Sequence, residues 1–407
     1  MATRLVETND ERLSKYLDGL ASVIGRASRV GPLRDYCTGL LLSVDRKSVE
    51  PIAAATAPGR VSAQHQSLLH FVNQGPWSDA AVLANVREQV LPAMERHGPV
   101  EVWVIDDTGF PKHGRHSVGV AHQYCGESGK KDNCQAAVSL SLANARASLP
   151  VAYQLYLPQS WADDMERRAK AGVPDAIAFK TKNEIAREQI EWACAAGLPQ
   201  GVVLADSAYG KDASLRARIS ALGLQYSVGI RGEARVMRKG REMSAEALAH
   251  ALPRSAWKQV TWRQGTNEPL ASRFARARVR PCGKGLSNEE PEEWLLVEWP
   301  QGENAPTRFW LSTLPRNIAF DRLVDITKMR WRIERDYHDL KQEVGLGHFE
   351  GRGWVGFHHH ATLCIAAYGF LILEREAFPP SQAPRARNVT TPRLPESYRP
   401  RGAPAQA

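Results

Sequence analysis

Two continuous apolar runs that both end in aspartate restrict the fold of this chain more than any other feature. GVVLAD, residues 201–206, is followed by a helical pattern over 213–223 and by a predicted strand, LQYSVGI, over 224–230. A strand, a helix and a strand in this order predict parallel pairing, because the helix carries the chain back to the same edge of the sheet. The segment EVWVIDD, residues 101–107, has the same apolar character and also ends in acids. We therefore predict an α/β fold.

Changes in hydrophobic periodicity divide the 407 residues into segments. The alternating stretches between 232 and 316 suit a small antiparallel sheet and look inserted into the α/β pattern. The last segment is rich in Pro and Arg and poor in apolar residues, so we predict that it is disordered. The predicted segments are a helical region 1–97, a mixed strand and helix region 98–231, a β-rich insertion 232–316, a helical region 317–378 and the tail 379–407. Within them we predict an N-cap at Ser78-Asp79, a long helix from Asp321 and a second, apolar helix over about Ala361–Ala377.

The net charge and the hydropathy of the chain limit the classes of function that it can have. There are 53 Lys and Arg against 44 Asp and Glu, a net charge of +9 with a pI near 9.3, which favours a polyanionic partner. The longest apolar run, Leu363–Leu373, is about half of the roughly 20 residues that cross a bilayer, so it predicts a core helix and no membrane span. The first residues carry no apolar stretch typical of a secretory signal, and we expect a cytoplasmic protein.

The acids at the two strand ends indicate a metal site. In open α/β sheets, sites form beyond the carboxyl ends of strands, so Asp206 and the pair Asp106-Asp107 converge if their strands are neighbours. Convergent carboxylates repel unless a cation lies between them, and hard oxygen ligands select Mg²⁺ or Mn²⁺. Asp106 and Asp107 point to opposite faces of a strand, and periodicity does not choose between them. The alternative is that each aspartate merely begins a turn.

A third acid lies late in the chain, in MRWRIERDYHDLKQEVGL. Arg330, Glu334 and Lys341 stand at i, i+4 and i+11, which places a carboxylate between two cations on one helix face. The alternative is a solvated face with ordinary ion pairs.

These segments together resemble the DDE transposases of bacterial insertion sequences. The resemblance covers about residues 30–378 and is carried by DDTGFPKHG (106–114), YCGESGKKDNCQ (124–135), ADSAYG (205–210) and RWRIERDYHDLKQEVGL (330–346). Such proteins have a ribonuclease H-like mixed sheet flanked by helices, and the branch with a Tyr-x2-Arg-x3-Glu-x6-Lys signature carries a β-rich insertion. Thr327 stands where that signature has Tyr.

The resemblance implies the site residues. The acid directly before Thr in the first motif becomes Asp107, the second acid is Asp206 and the third is Glu334, with Asp106 as the fallback for the first. They would hold two Mg²⁺ (or Mn²⁺) ions for cleavage and strand transfer at the ends of an insertion sequence.

DNA contacts are expected at several basic residues. By the resemblance, Arg330 and Lys341 would position phosphates. Arg276, Arg278 and Arg280 alternate on one strand face, which lies either against a DNA backbone or in solvent. The expected partners are double-stranded DNA, as terminal inverted repeats and target, and a second copy in a homodimer on DNA, with the protein at the nucleoid. The helical region 1–97 is the candidate for reading the inverted repeats.

Two other functions stay open at this point. One is a catalytically idle DNA-binding remnant of a transposase, and the other is a non-mobile metal-dependent DNA nuclease on the same core. A glycosidase with two carboxylates fits poorly, since the third acid and the basic charge would have no role.

Overall fold

The computed structural model describes residues 7–264, 269–283 and 290–379. Helices in these ranges flank a mixed β-sheet. They are α1 Asn9–Val23, α2 Val30–Leu41, α3 Val49–Thr56, α4 Val61–Asn73, α5 Asp79–Glu95, α6 Gln159–Ala162, α7 Met165–Ala171, α8 Lys182–Ala195, α9 Ser207–Gly210, α10 Ala213–Ala221, α11 Ala245–Ala251, α12 Phe320–Lys328, α13 Trp331–Gln342 and α14 Trp354–Ala377.

The strands form one sheet of mostly antiparallel pairs. They are β1 Val102–Pro111, β2 Ala121–Cys125, β3 Lys130–Ala143, β4 Ser148–Leu155, β5 Val202–Ala205, β6 Tyr226–Ile230, β7 Arg235–Arg238, β8 Arg241–Ser244, β9 Lys258–Gln264, β10 Pro269–Pro281, β11 Glu293–Trp299 and β12 Arg308–Ser312. Their order is β2-β3-β1-β5-β6-β12-β11-β10-β7-β8, with β4 on β3 and β9 on β10. This is the predicted α/β class, a ribonuclease H-like mixed sheet flanked by helices.

The centre of the sheet is parallel, as the strand, helix and strand pattern predicts. β5 pairs in parallel with β6, and β1 pairs in parallel with β5. Asp206, which directly follows β5, therefore lies beside the acids of β1, and the expectation that the two strands are neighbours is confirmed.

The strands of the β-rich segment continue this sheet. β12 pairs antiparallel with β6 from Phe309↔Ile230 to Ser312↔Ser227. All five residues of β6 are buried, so its second edge needs a partner strand that satisfies its backbone groups. The antiparallel pairing predicted here is confirmed, but the strands do not form a separate small sheet.

The N-terminal helices pack into the same hydrophobic core as the sheet. This core runs from Leu20 of α1 through Ile365 of α14 to Leu140 of β3. The predicted N-cap of α5 is confirmed, because the Ser78 side chain accepts a hydrogen bond from the backbone N–H of Ala81. The segment boundaries at 97, 231, 316 and 378 stay a prediction, and the predicted tail lies outside the described residues except for residue 379.

Among the described residues, α14 alone is long and apolar enough to cross a membrane by length and composition. In its most apolar window, 83% of the residues are buried inside the protein. The predicted core helix is therefore confirmed, and it begins seven residues earlier than Ala361, the expected start.

The predicted long helix after Asp321 is two helices. α12 ends at Lys328 and α13 begins at Trp331, and hydrogen bonds of the i to i+3 type tighten the turn between them. No Gly or Pro marks the break, so a helical pattern continues through it in the sequence. The break makes Arg330 the N-cap of α13.

Candidate active site

Asp106 and Asp107 lie in the middle of β1, which continues to Pro111 and does not end at the acids as predicted, and they face opposite layers. Asp106 shares its face with Val104, which packs in the same apolar cluster as Ile333 of α13. Asp107 shares its face with Ile105, which belongs to the main core with α8. Asp106 therefore faces the helix of Glu334 and Asp107 faces α8, a choice that the sequence alone did not make.

Asp206 directly follows β5 and caps the short helix α9. Its Oδ1 accepts hydrogen bonds from the backbone N–H groups of Ala208 and Tyr209, at 2.8 and 3.3 Å. This is the turn-forming role of the alternative interpretation, and it fixes the carboxylate at the end of the strand. It is compatible with a second role, because the bonds engage only one of the two carboxylate oxygens.

Arg330 joins the first and third acidic segments. Its NH1 donates to Asp106 Oδ2 at 2.6 Å, and its NH2 donates to Glu334 Oε1 at 2.9 Å. The Asp106 side chain is 15% exposed, whereas that of Glu334 is 61% exposed. The guanidinium therefore bridges a carboxylate at the base of the site to one at its rim.

The electrostatics link Asp206 to the same group. Burial raises the pKa of Asp106 to about 7, opposed by the Arg330 guanidinium and strengthened by the negative charges of Asp206 and Asp107. Burial alone would lower the pKa of Arg330, but nearby carboxylates raise it above its ordinary value, and Asp206 is one of them. One guanidinium is thus the shared counter-charge of three acidic segments that lie far apart in the sequence.

Asp107 has different partners. The Lys182 ammonium donates to Asp107 Oδ2 at 2.6 Å, and the Tyr209 hydroxyl donates to Oδ1 at 3.0 Å. Both carboxylate oxygens are engaged. Lys182 is the first residue of α8, where Thr181 and Glu184 form a capping box. The box predicts where the helix starts, but no signal in the sequence places this lysine on β1.

A tyrosine that the sequence analysis did not select fixes α13 against the sheet. The Tyr337 hydroxyl donates to the backbone carbonyl of Asp106 at 3.0 Å and lies 2.9 Å from Ser139 Oγ. It is one turn beyond Glu334, so it determines how that carboxylate approaches β1.

The other signature residues are bound within the protein. The Lys341 ammonium donates to the backbone carbonyl of Gly109 at 2.6 Å and also to the Glu127 carboxylate. Thr327 is buried and its hydroxyl lies 2.7 Å from Ser227 Oγ on β6. A residue at the Thr327 position therefore faces the sheet here, whereas Lys341 lies along β1.

The three arginines of β10 are half-buried and have partners within the protein. Arg276 donates to the backbone carbonyl of Ile318 at 2.8 Å and lies over the Trp294 ring at 4.3 Å. Arg278 bonds the backbone carbonyl of Glu292, and Arg280 donates to the backbone carbonyl of Glu290 at 2.7 Å. These contacts give the residues a structural role, and their predicted contact with DNA stays a prediction.

Comparison with known protein families identifies the class of protein to which this chain belongs. The family model described as "DDE superfamily endonuclease" matches residues 19–269, and that described as "Transposase DDE domain" matches residues 178–370. The chain belongs to the DDE transposases. It is 26% identical over 322 residues, 78% of this chain and 70% of the relative, to a probable transposase for insertion sequence element IS701 from Microchaete diplosiphon.

Proteins of this family generally use divalent metals. Within the described ranges, no group of three or more His, Cys, Asp or Glu side chains stands together as a metal-binding set. The acids nevertheless fit such an ion in chemistry, since they are hard oxygen donors and the buried Asp106 shares a cation with Glu334. In this conformation the Arg330 guanidinium supplies that positive charge.

Proposed function

We propose that this transposase cleaves DNA at the ends of an insertion sequence and joins the freed 3′-hydroxyl to target DNA. The observation that supports it best is the pair of hydrogen bonds by which Arg330 joins Asp106 to Glu334 beside Asp206. Acids from β1, from the end of β5 and from α13 are thereby brought around one cation, an arrangement that suits the binding of divalent metal ions, which would stabilise the negative charge that develops in the reaction.

Asp206, Glu334 and one acid of β1 are the proposed ligands of two Mg²⁺ or Mn²⁺ ions. When bound, such ions lower the pKa of the attacking water and stabilise the leaving oxygen. The resemblance selects Asp107 as the first acid, whereas the contacts favour Asp106, because Asp107 is engaged by Lys182 and Tyr209. Replacing each acid by Asn separates the two assignments.

Two basic side chains near the acids are proposed to contact DNA. Arg330 and Lys341 would bind DNA phosphates, with Arg able to donate two parallel hydrogen bonds and Lys acting as a point charge. Arg330 would then exchange its carboxylates for a phosphate when the acids take up metal. We further propose that the protein acts at the bacterial nucleoid as a homodimer on paired inverted repeats.

The test compares two aspartates with the same local role. Asp206 caps α9, and Asp212 caps α10 through the same kind of backbone hydrogen bonds. Asn is a good N-cap, so both Asp206→Asn and Asp212→Asn should fold. With Mg²⁺ and a duplex carrying the inverted repeat, Asp206→Asn should cleave at least about 100-fold more slowly, and Asp212→Asn should retain cleavage.

DNA binding by Asp206→Asn should persist. Wild-type cleavage by this variant would refute the metal-ligand role. Cleavage by the wild type without joining to a target plasmid would favour the non-mobile nuclease, and binding without cleavage would favour the idle remnant.

A further inference from the structure

The chain that leaves β1 forms a basic loop. Lys112, His113, Arg115 and His116 follow one another with only Gly114 between them, and all but the half-buried Lys112 are exposed. β1 carries the acids, and Lys112 is six residues beyond Asp106. At about 3.3 Å per residue, the loop lies roughly 20 Å from that carboxylate.

This loop borders a pocket of about 340 Å³ between three parts of the fold. Arg46 comes from the segment between α2 and α3, Lys112 and His113 come from the loop, and His348 comes from the segment after α13. One acid, Glu350, also lines the pocket and forms an ion pair with Arg46. Basic groups from the N-terminal helices and from the catalytic region therefore meet at one concave surface.

The loop is held in position by hydrogen bonds. Asn133 on β3 accepts from the Lys112 N–H at 2.9 Å and donates to the backbone carbonyl of Gly114 at 3.0 Å. The Lys112 ammonium donates to the backbone carbonyl of Phe349 at 3.0 Å, across the pocket. A site organised in this way has less entropy to lose when an anion binds.

The charge balance of the pocket favours an anion. Burial lowers the pKa of Lys112, and the positive charge of Arg46 acts in the same direction, while Glu350 opposes them. Among the described residues, no carboxylate lies within ion-pair distance of the Lys112 ammonium, so its bonding partner is a neutral carbonyl. The cations of Arg46 and Lys112 thus have only the Glu350 carboxylate between them among the residues that line the pocket.

We infer that this pocket binds a backbone phosphate of DNA and holds the duplex across the N-terminal helices and the catalytic region. The inference rests on the proposed function, since it assigns the path of the substrate that the acids would cleave. At 3.4 Å of rise per base pair, a separation of roughly 20 Å places this phosphate about six base pairs from the scissile bond.

The experiment measures DNA binding without metal, so it is independent of cleavage. A fluorescein-labelled 30-base-pair duplex would be titrated in EDTA at roughly 50 to 200 mM salt, and the slope of log K against log salt compared. Arg46→Gln and Lys112→Met should each reduce the magnitude of the slope by about 1, so each variant should lose about 4-fold less affinity than the wild type over this range. Arg241→Ala, an exposed change on β8 at the far edge of the sheet, should retain the wild-type slope.

A third variant should change the affinity for DNA in the opposite direction. Glu350→Gln removes the acid that pairs with Arg46, so it should tighten DNA binding at every salt concentration. Wild-type slopes for both cation variants, with circular dichroism and melting temperature unchanged, would overturn the inference. So would weaker binding by Glu350→Gln in a folded protein, or equal losses in Arg241→Ala. A slope effect in a protein that does not cleave would support the pocket while the proposed function fails.

Discussion

Asp106→Asn and Asp107→Asn are nearly isosteric changes at adjacent residues, and the structure predicts different effects on stability. Burial raises the pKa of Asp106 from its ordinary value of 3.8 to about 7. Between these values the folded protein retains a proton that the unfolded chain has lost, so the free energy of unfolding falls as pH rises. At about 1.4 kcal/mol per pH unit the total effect is roughly 4 kcal/mol, of which about 3 kcal/mol falls between pH 5 and pH 8.

Asp106→Asn removes the titrating group. Between pH 5 and pH 8, the free energy of unfolding of the wild type should therefore fall by about 3 kcal/mol more than that of the variant. Asp107→Asn keeps the titrating Asp106 carboxyl, so its stability should still fall from pH 5 to pH 8, but by less than in the wild type because the charge of Asp107 helps to raise the pKa of Asp106. It should lose about 1–2 kcal/mol at both pH values, because the ammonium of Lys182 loses a carboxylate partner at a site where the two side chains are 26% and 22% exposed.

Urea unfolding in EDTA at the two pH values measures both effects. The change with pH is compared, rather than stability at one pH, because Asp106→Asn also deprives Arg330 of a partner. If Asp106→Asn follows the wild-type pH dependence, the carboxyl is not held protonated by its surroundings. The conclusion that burial outweighs the Arg330 guanidinium at the Asp106 carboxyl would then be wrong.

Three further predictions concern groups around the site and in the core. Burial lowers the pKa of His360 from 6.5 to about 4. The free energy of unfolding should therefore fall by roughly 3 kcal/mol as the pH drops from 6.5 to 4, and His360→Gln should not show this fall in urea titrations. Gly210→Ala would bring a Cβ within 1.9 Å of a backbone oxygen of β6, and should cost about 3 kcal/mol or more, whereas the open position of Gly59→Ala should change stability by less than about 0.5 kcal/mol. Lys182→Met should tighten Mn²⁺ binding in calorimetric titrations if Asp107 is a ligand, since the ammonium no longer competes for that carboxylate, and an unchanged affinity would exclude Asp107.

The parallel centre of the sheet could be predicted from the sequence because its strands are buried on both faces. β6 is buried throughout, and β5 is apolar up to the acid that follows it. The N-cap at Ser78 could be predicted because it depends on neighbours along the chain. These features follow from local patterns, which a single sequence contains in full.

The geometry of the candidate site depends on contacts between distant residues. Lys182 meets Asp107 across 75 positions, and Arg330 meets Asp106 across 224. The break between α12 and α13 has no Gly or Pro to mark it, so the sequence predicts one helix where two exist. Periodicity could say that Asp106 and Asp107 face opposite layers, but only the packed helices decide which layer contains the helix of Glu334.

The four residue pairs between β6 and β12 have a mechanical consequence. Gly229 of β6 pairs with Trp310, and its Cα lies so close to Asp206 that an added Cβ would come within 3.0 Å of that residue's backbone. Strain applied to the β-rich segment would therefore reach Asp206 through a ladder of main-chain hydrogen bonds rather than through a flexible hinge. Substitutions on β12 are expected to shift the Asp206 carboxylate although they do not contact it.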